Sequence, residues 1–457
     1  MERDRVYRVI IRKRVLIYLL LALGAGIAGI ILLPFKAVKM GVAALILVPF
    51  ILIIVERPVL AFYLMIFTLF SSVYLIIPIP LIKLLVLVTA AAMAVMIFRR
   101  WIPFIHDRFF LLLLFIFILV VFQSLITVRD TASYFYRLDN LVKNIIILLI
   151  ATQFVRNRRE FRRFLLVIIM GFVVMNYLPL LRPATGESSG VSGAILVEQA
   201  VFRYGGYIRE PNFLGFNQFF LMPLLLFLAS IRRTGRMARV ALTMLFLGSI
   251  AVIIITFSRG AFLTLLFMLL LLLIIERRNK LILYSGLAVI AAGAFIAPVV
   301  YWDRISSIFR LSSYITEDYA IMSRVITMKV AVILGMKNPL FGVGLENFLY
   351  HAARYTSFGY VVHNSLLQVF SEMGFPGLLI IISIIIYNFR LISRLARDRT
   401  DKERARLGRF LLLQQMSVLF CSMTLPVAYD YLFWSALFMP SIAAYAYKAR
   451  DKAASRV

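Results

Sequence analysis

Cysteine is almost absent. Cys421 stands alone within an apolar run, so neither an internal disulfide nor a cysteine-rich metal site is available. Histidine is nearly as scarce, with only His106, His351 and His363. His351 and His363 could meet in space, but they lack the three- or four-residue helical spacing of paired metal ligands, and no metal is expected. Acidic residues number 21 against 50 Lys and Arg. No GxxxxGK[ST] loop occurs and no GxGxxG follows a strand, which removes the usual walled nucleotide sites. There is no Gly/Ser-rich linker, low-complexity tract or obvious repeat, so residues 1–457 read as one membrane domain.

What the chain has in abundance is hydrocarbon. It is 63% hydrophobic with a mean hydropathy of +0.95, and apolar runs of about 18 or more residues recur, each long enough to cross a bilayer. The expected class is an all-α polytopic membrane protein. A net charge of +29 would ordinarily raise nucleic acid as a partner. Roughly two thirds of the basic residues, however, fall in alternate short connections, such as Arg156 to Arg163, Arg232 to Arg239 and Arg390 to Arg409. That pattern puts both termini in the cytoplasm, makes membrane lipids the partner of the basic loops, and argues against nucleic acid. The first apolar stretch, Val15 to Leu33, follows a basic segment but has no cleavage region after it, and is expected to be a retained span.

Run lengths suggest about 12–14 transmembrane helices, the last being Ser365 to Phe389, Phe410 to Thr424 and Tyr431 to Tyr447. The outer connections are then Val128 to Asn140, Arg182 to Asn212, the turn at Ser258 to Gly260, and residues 301–363. The last interval is the longest. Asp318 to Met336 reads as a surface helix stopped by Asn338-Pro339, and Leu345 to Arg354 as a second short helix after Gly342-Val343-Gly344. The interval is expected to form a helical cap over an active site.

His363, at the junction of this loop and a long apolar helix, is the best single candidate for a base, although position alone leans to a satisfied interfacial histidine. Arg259 splits an apolar stretch that is about two spans long, so a hairpin must turn there. An arginine in such a place marks a site unless it only snorkels to the interface. Arg203 and Arg209, among tyrosines and a glycine pair, suit an anionic sugar-bearing ligand, since guanidinium binds phosphate bidentately. With Arg324 they put cations on the outer side, against the bias that drew most basic residues inside. A lipid-linked pyrophosphate would account for them, and a transporter or flippase of such a lipid is the competing class.

These residues carry a resemblance. Ser258-Arg259-Gly260, Ser323-Arg324, Asn338-Pro339-Leu340-Phe341-Gly342-Val343-Gly344 with Asn347-Phe348, then His363-Asn364-Ser365-Leu366-Leu367-Gln368 and Glu372-Met373-Gly374 with Gly377, follow in ordered spacing. Together they resemble the O-antigen ligase and polymerase family of bacterial inner-membrane glycosyltransferases. Met328 departs from it, standing where many members carry tryptophan. The resemblance implies a GT-C-like fold with a helical periplasmic cap and a metal-independent, cofactor-free inverting transfer. The donor would be a glycan on undecaprenyl pyrophosphate, and the acceptor lipid A-core or a second lipid-linked glycan. It implies His363 as the base, Arg203, Arg209, Arg259 and Arg324 on the pyrophosphate, and Asn364 and Gly344 in support. A shape, elongation and division type of glycosyltransferase would need an outer catalytic aspartate, and neither Asp303 nor Asp318 has the flanking pattern.

Overall fold

The computed structural model describes residues 58–72, 81–98, 107–177, 195–198, 201–204, 210–276, 319–357 and 359–448. The expected spans Val15 to Leu33, Val38 to Val55 and Leu281 to Val300 lie outside them, as do His106, Arg209, Asp303 and Asp318.

Thirteen α-helices make up nearly all of the described residues: α1 Pro58–Ser71, α2 Leu81–Phe98, α3 Arg108–Gln123, α4 Thr131–Phe154, α5 Arg158–Tyr177, α6 Pro211–Ser230, α7 Arg236–Ile255, α8 Arg259–Ile275, α9 Tyr319–Lys337, α10 Phe348–Ala352, α11 Ser365–Ala396, α12 Lys402–Ser422 and α13 Tyr431–Lys448. Between α5 and α6 lies an antiparallel hairpin, β1 Ile195–Glu198 and β2 Val201–Tyr204, with Leu196 opposite Arg203. The sequence pattern did not suggest this hairpin within the loop from Arg182 to Asn212.

Several helices start on a polar side chain that takes up an otherwise orphaned backbone N–H. Asp107 accepts from Phe110 at the start of α3, Asp130 from Ser133 at α4, and Glu210 from Phe213 at α6, where Pro211 supplies the first turn. α4 begins well before the apolar run at Leu141, and α12 before Phe410. Helix continues through these polar turns because it needs backbone bonds rather than hydrophobicity, so apolar length marks the span and not the helix.

The chain is an all-α polytopic membrane protein. Among the described residues four helical stretches, 108–127, 211–230, 236–255 and 365–396, are long and apolar enough to cross a bilayer. α3 shows the two-sided character this requires: Phe110, Leu113 and Phe117 are buried, while Phe109, Leu112, Phe115 and Phe122 are exposed. An exposed stripe of that kind suits lipid and would be a liability in water. At the centre stands α13, which packs on α4, α11 and α12 and is buried along almost its whole length. Polar groups within the bundle pair across helices, as in Gln414 Nε2 to the Phe220 carbonyl at 2.7 Å and Asn176 with Gln218 at 3.0 Å.

α11 is broken at Gly374 (φ 67°), two residues before Pro376. Pro376 has no N–H for the carbonyl of Glu372, and the break withdraws the N–H of Phe375 from that of Ser371. The loop after α9 replaces both bonds. Gly344 N–H donates to the Glu372 carbonyl (2.9 Å), Val343 N–H to the Ser371 carbonyl (2.9 Å), and Phe375 N–H turns to the Pro339 carbonyl (2.8 Å). The backbones come so close that a Cβ on Gly342 would lie 2.2 Å from the Glu372 carbonyl carbon, and one on Gly374 2.4 Å from the Pro339 oxygen. Two separate motifs of the sequence, Asn338 to Gly344 and Glu372 to Gly377, thus form a single lock.

Candidate active site

His363 lies one residue before the N-cap of α11. Asn364 caps that helix, its Oδ1 accepting from Leu366 and Leu367 N–H at 3.0 Å, while its Nδ2 donates to the Met423 carbonyl at 3.3 Å. Ser365 Oγ donates to the Leu425 carbonyl (2.7 Å) and accepts from Val427 N–H (2.9 Å). The segment joining α12 to α13 is thereby fastened to the residues following His363. From the other side, Val362 belongs to a small apolar core with Val330, Ala331 and Leu334 of α9, Val343 of the lock, and Phe348 and Ala352 of α10. The histidine is fixed by both its neighbours in sequence.

The imidazole itself is half-buried. Burial first, and then the positive charge of nearby Arg324 on α9, push its pKa down to about 4, against a smaller opposing pull from the Thr424 backbone. It is therefore neutral at physiological pH. Nδ1 is buried and, among the described residues, has no hydrogen-bond partner, an orphan that a substrate hydroxyl would satisfy.

Arg259 opens α8 after a tight turn in which Phe257 takes a left-handed φ of 50° and Ser258 caps the helix through Ala261 N–H. The α7–α8 hairpin thus turns at 256–258, just before the expected position. Gly260 packs directly on Thr424, whose hydroxyl would be 2.7 Å from an added Cβ. Thr424 is the common neighbour of His363 and of the turn bearing Arg259. Arg324, His363 and the start of α8 thus gather at one end of the bundle.

Arg203 sits on β2, which packs against α7, and only its backbone is described; Arg209 is outside the described residues. Gly344, expected as a supporting residue, acts through the lock: its N–H serves Glu372, and its missing side chain lets Val128 approach. Among the described residues no group of three or more His, Cys, Asp or Glu could hold a metal ion.

The structure gives contacts to residues to which the sequence reading assigned no role. Glu372 is buried within α11, and its Oε2 accepts from Glu346 N–H at 3.0 Å. Glu346 in turn binds Arg137 of α4 through both carboxylate oxygens, each at 2.7 Å. This relay ties α4 to the lock and to α11. An acidic residue inside a long apolar helix was the available signal for Glu372; Thr424, a plain threonine after α12, offered none.

Residues 244–382 match the family described as O-antigen ligase. That span runs from α7 to the middle of α11 and contains Arg259, Arg324, the whole lock and His363. Over this region the chain is similar to the O-antigen ligase family, which supports assigning it there. Its function is of O-antigen ligase type, and it is a glycosyltransferase-like membrane enzyme. No curated protein matches the chain. Arg203, Arg209 and the Thr424 segment fall outside the matched residues.

Proposed function

We propose that the protein transfers a glycan en bloc from undecaprenyl pyrophosphate to a sugar hydroxyl at the periplasmic face of a bacterial inner membrane, with both termini in the cytoplasm. The ligase form, with lipid A-core as acceptor, is favoured over a polymerase that extends a second lipid-linked repeat. The observation that carries the reading is His363: neutral, with an orphaned Nδ1, and beside Arg324 within the family-matched region.

With the ring proton on Nε2, Nδ1 takes the proton of the acceptor hydroxyl as its oxygen attacks the anomeric carbon. The bond from that carbon to the pyrophosphate oxygen breaks, and its electron pair leaves with the pyrophosphate. Arg259 and Arg324, with Arg203 and Arg209, hold that group and spread its charge. Asn364 keeps the base in register with the 423–427 segment. A single displacement of this kind inverts the anomeric centre.

The test is transfer from a purified undecaprenyl-pyrophosphate donor to lipid A-core with EDTA present. The expected outcome is an inverted product that persists in EDTA and is lost in His363→Ala and Arg259→Ala. Growth of the donor's own glycan instead selects the polymerase. Movement of the donor lipid across a liposome bilayer without transfer replaces the enzyme with a transporter.

A further inference from the structure

The cap carries a second cationic face that the base and the pyrophosphate arginines do not use. Asn347 stands at its root. Its Oδ1 accepts from the N–H groups of Arg129 (2.9 Å) and Asp130 (2.7 Å), and its Nδ2 donates to the Asp130 carbonyl (3.1 Å). This clamp seats the start of α10 against the start of α4. His351 follows on α10 and Arg354 just after it, its N–H donating to the His351 carbonyl at 3.4 Å. Arg129 and Arg354 are exposed, and both lie near enough to His351 to oppose its protonation, adding to the larger effect of its burial.

Among the described residues neither guanidinium has a carboxylate partner. The nearby acids are engaged elsewhere, Asp130 by the N–H and hydroxyl of Ser133 and Glu346 by Arg137. Nε2 of His351 is buried and, among the described residues, has no hydrogen-bond partner. Around this centre Tyr350 is half exposed and meets the His351 ring at 5.5 Å. Tyr355 is also exposed, and Lys337 both donates to its hydroxyl (2.9 Å) and lies over its ring (5.0 Å). Two arginines without acids, at the end of the bundle that the charge bias leaves poor in cations, are a standing repulsion that an anion would relieve. Exposed tyrosine faces beside them suit the C–H faces of a sugar.

We propose that Arg129, His351 and Arg354, rimmed by Tyr350 and Tyr355, bind a phosphate group carried on the acceptor saccharide. The site is separate from that of the donor pyrophosphate. The word acceptor rests on the glycosyl-transfer reading; the binding site does not.

The experiment uses the full chain in nanodiscs of zwitterionic lipid, titrated with a phosphomonoester-bearing oligosaccharide and with the same oligosaccharide after phosphatase treatment. The phosphorylated form should bind roughly tenfold more tightly, and the double variant Arg129→Gln/Arg354→Gln should abolish that difference. In the transfer assay the double variant should raise the acceptor KM and leave the donor KM unchanged. Equal binding of the two oligosaccharides by the wild type overturns the proposal. So does a double variant that keeps the discrimination and instead loses affinity for phosphatidylglycerol vesicles, which makes the face a lipid headgroup seat. A protein that discriminates through these arginines but transfers nothing overturns glycosyl transfer and leaves the site standing.

Discussion

Where α5 and α12 begin, the arginines of the bundle meet carboxylates. Arg158 pairs with Asp401 and lies 4.5 Å over the ring of Tyr447; Arg162 pairs with Glu403 at 2.7 Å, and Tyr447 donates to the same carboxylate at 2.6 Å. Arg404 pairs with Asp398 and Arg409 with Glu276. Where α8 and α11 begin, Arg137 pairs with Glu346, Arg324 lies near His363, and Arg129 and Arg354 lie near His351. The same residue type is a staple at one end, tying α5, α8, α12 and α13 together, and lies beside two histidines at the other. Net charge alone could not tell these arrangements apart; the pairing of the described acids at the α5–α12 end does.

The largest effect expected from breaking this contrast is at the histidine. His363→Ala should lower the transfer rate about 10²–10⁴-fold while the melting temperature stays at the wild-type value, as measured by initial rates and by thermal unfolding in detergent. The lock should respond in the opposite way. Gly374→Ala or Gly342→Ala forces a Cβ into backbone and a left-handed φ, so stability should fall on the order of 3 kcal/mol, read as a lower melting temperature.

The electrostatics of the site sharpen the comparison further. The rate with free enzyme should be flat near neutral pH and fall as pH drops through about 4, when His363 takes its proton. Arg324→Met removes a repulsion, so that acid limb should move to higher pH. The linkage to stability has the same sense. The unfolded chain protonates this histidine near 6.5 and the folded one near 4, so stability is lost as pH falls through that window. The smallest effect belongs to the stapled end. Arg162→Met should cost about 1 kcal/mol of stability, because the pair is partly solvated, and should leave transfer unchanged.

Much of the bundle was legible in the sequence because a bilayer imposes length and polarity on each helix. Ser365 as the start of α11, the hairpin at Arg259 and the cap helix expected from Asp318 to Met336, found at Tyr319–Lys337, followed from apolar run length, caps and the Asn338-Pro339 stop. His363, Arg259 and Arg324 were legible as polar groups in places that hydrocarbon makes costly, and the structure gathers them at one end of the bundle. Arg137 was not singled out, because its purpose depends on a carboxylate more than two hundred positions away.

The sequence by itself determined the medium and the helical class, since those depend on composition and local spacing. Tertiary structure decided which motifs touch. The lock joins Asn338–Gly344 to Ser371–Phe375 because the break at Gly374 and Pro376 leave two carbonyls that a glycine-bearing backbone can approach. Thr424 became the shared neighbour of Gly260 and His363 because α8 and α11 both pack on α12 at that level. Such contacts are set by packing over the whole bundle, and no local stretch of chain encodes them.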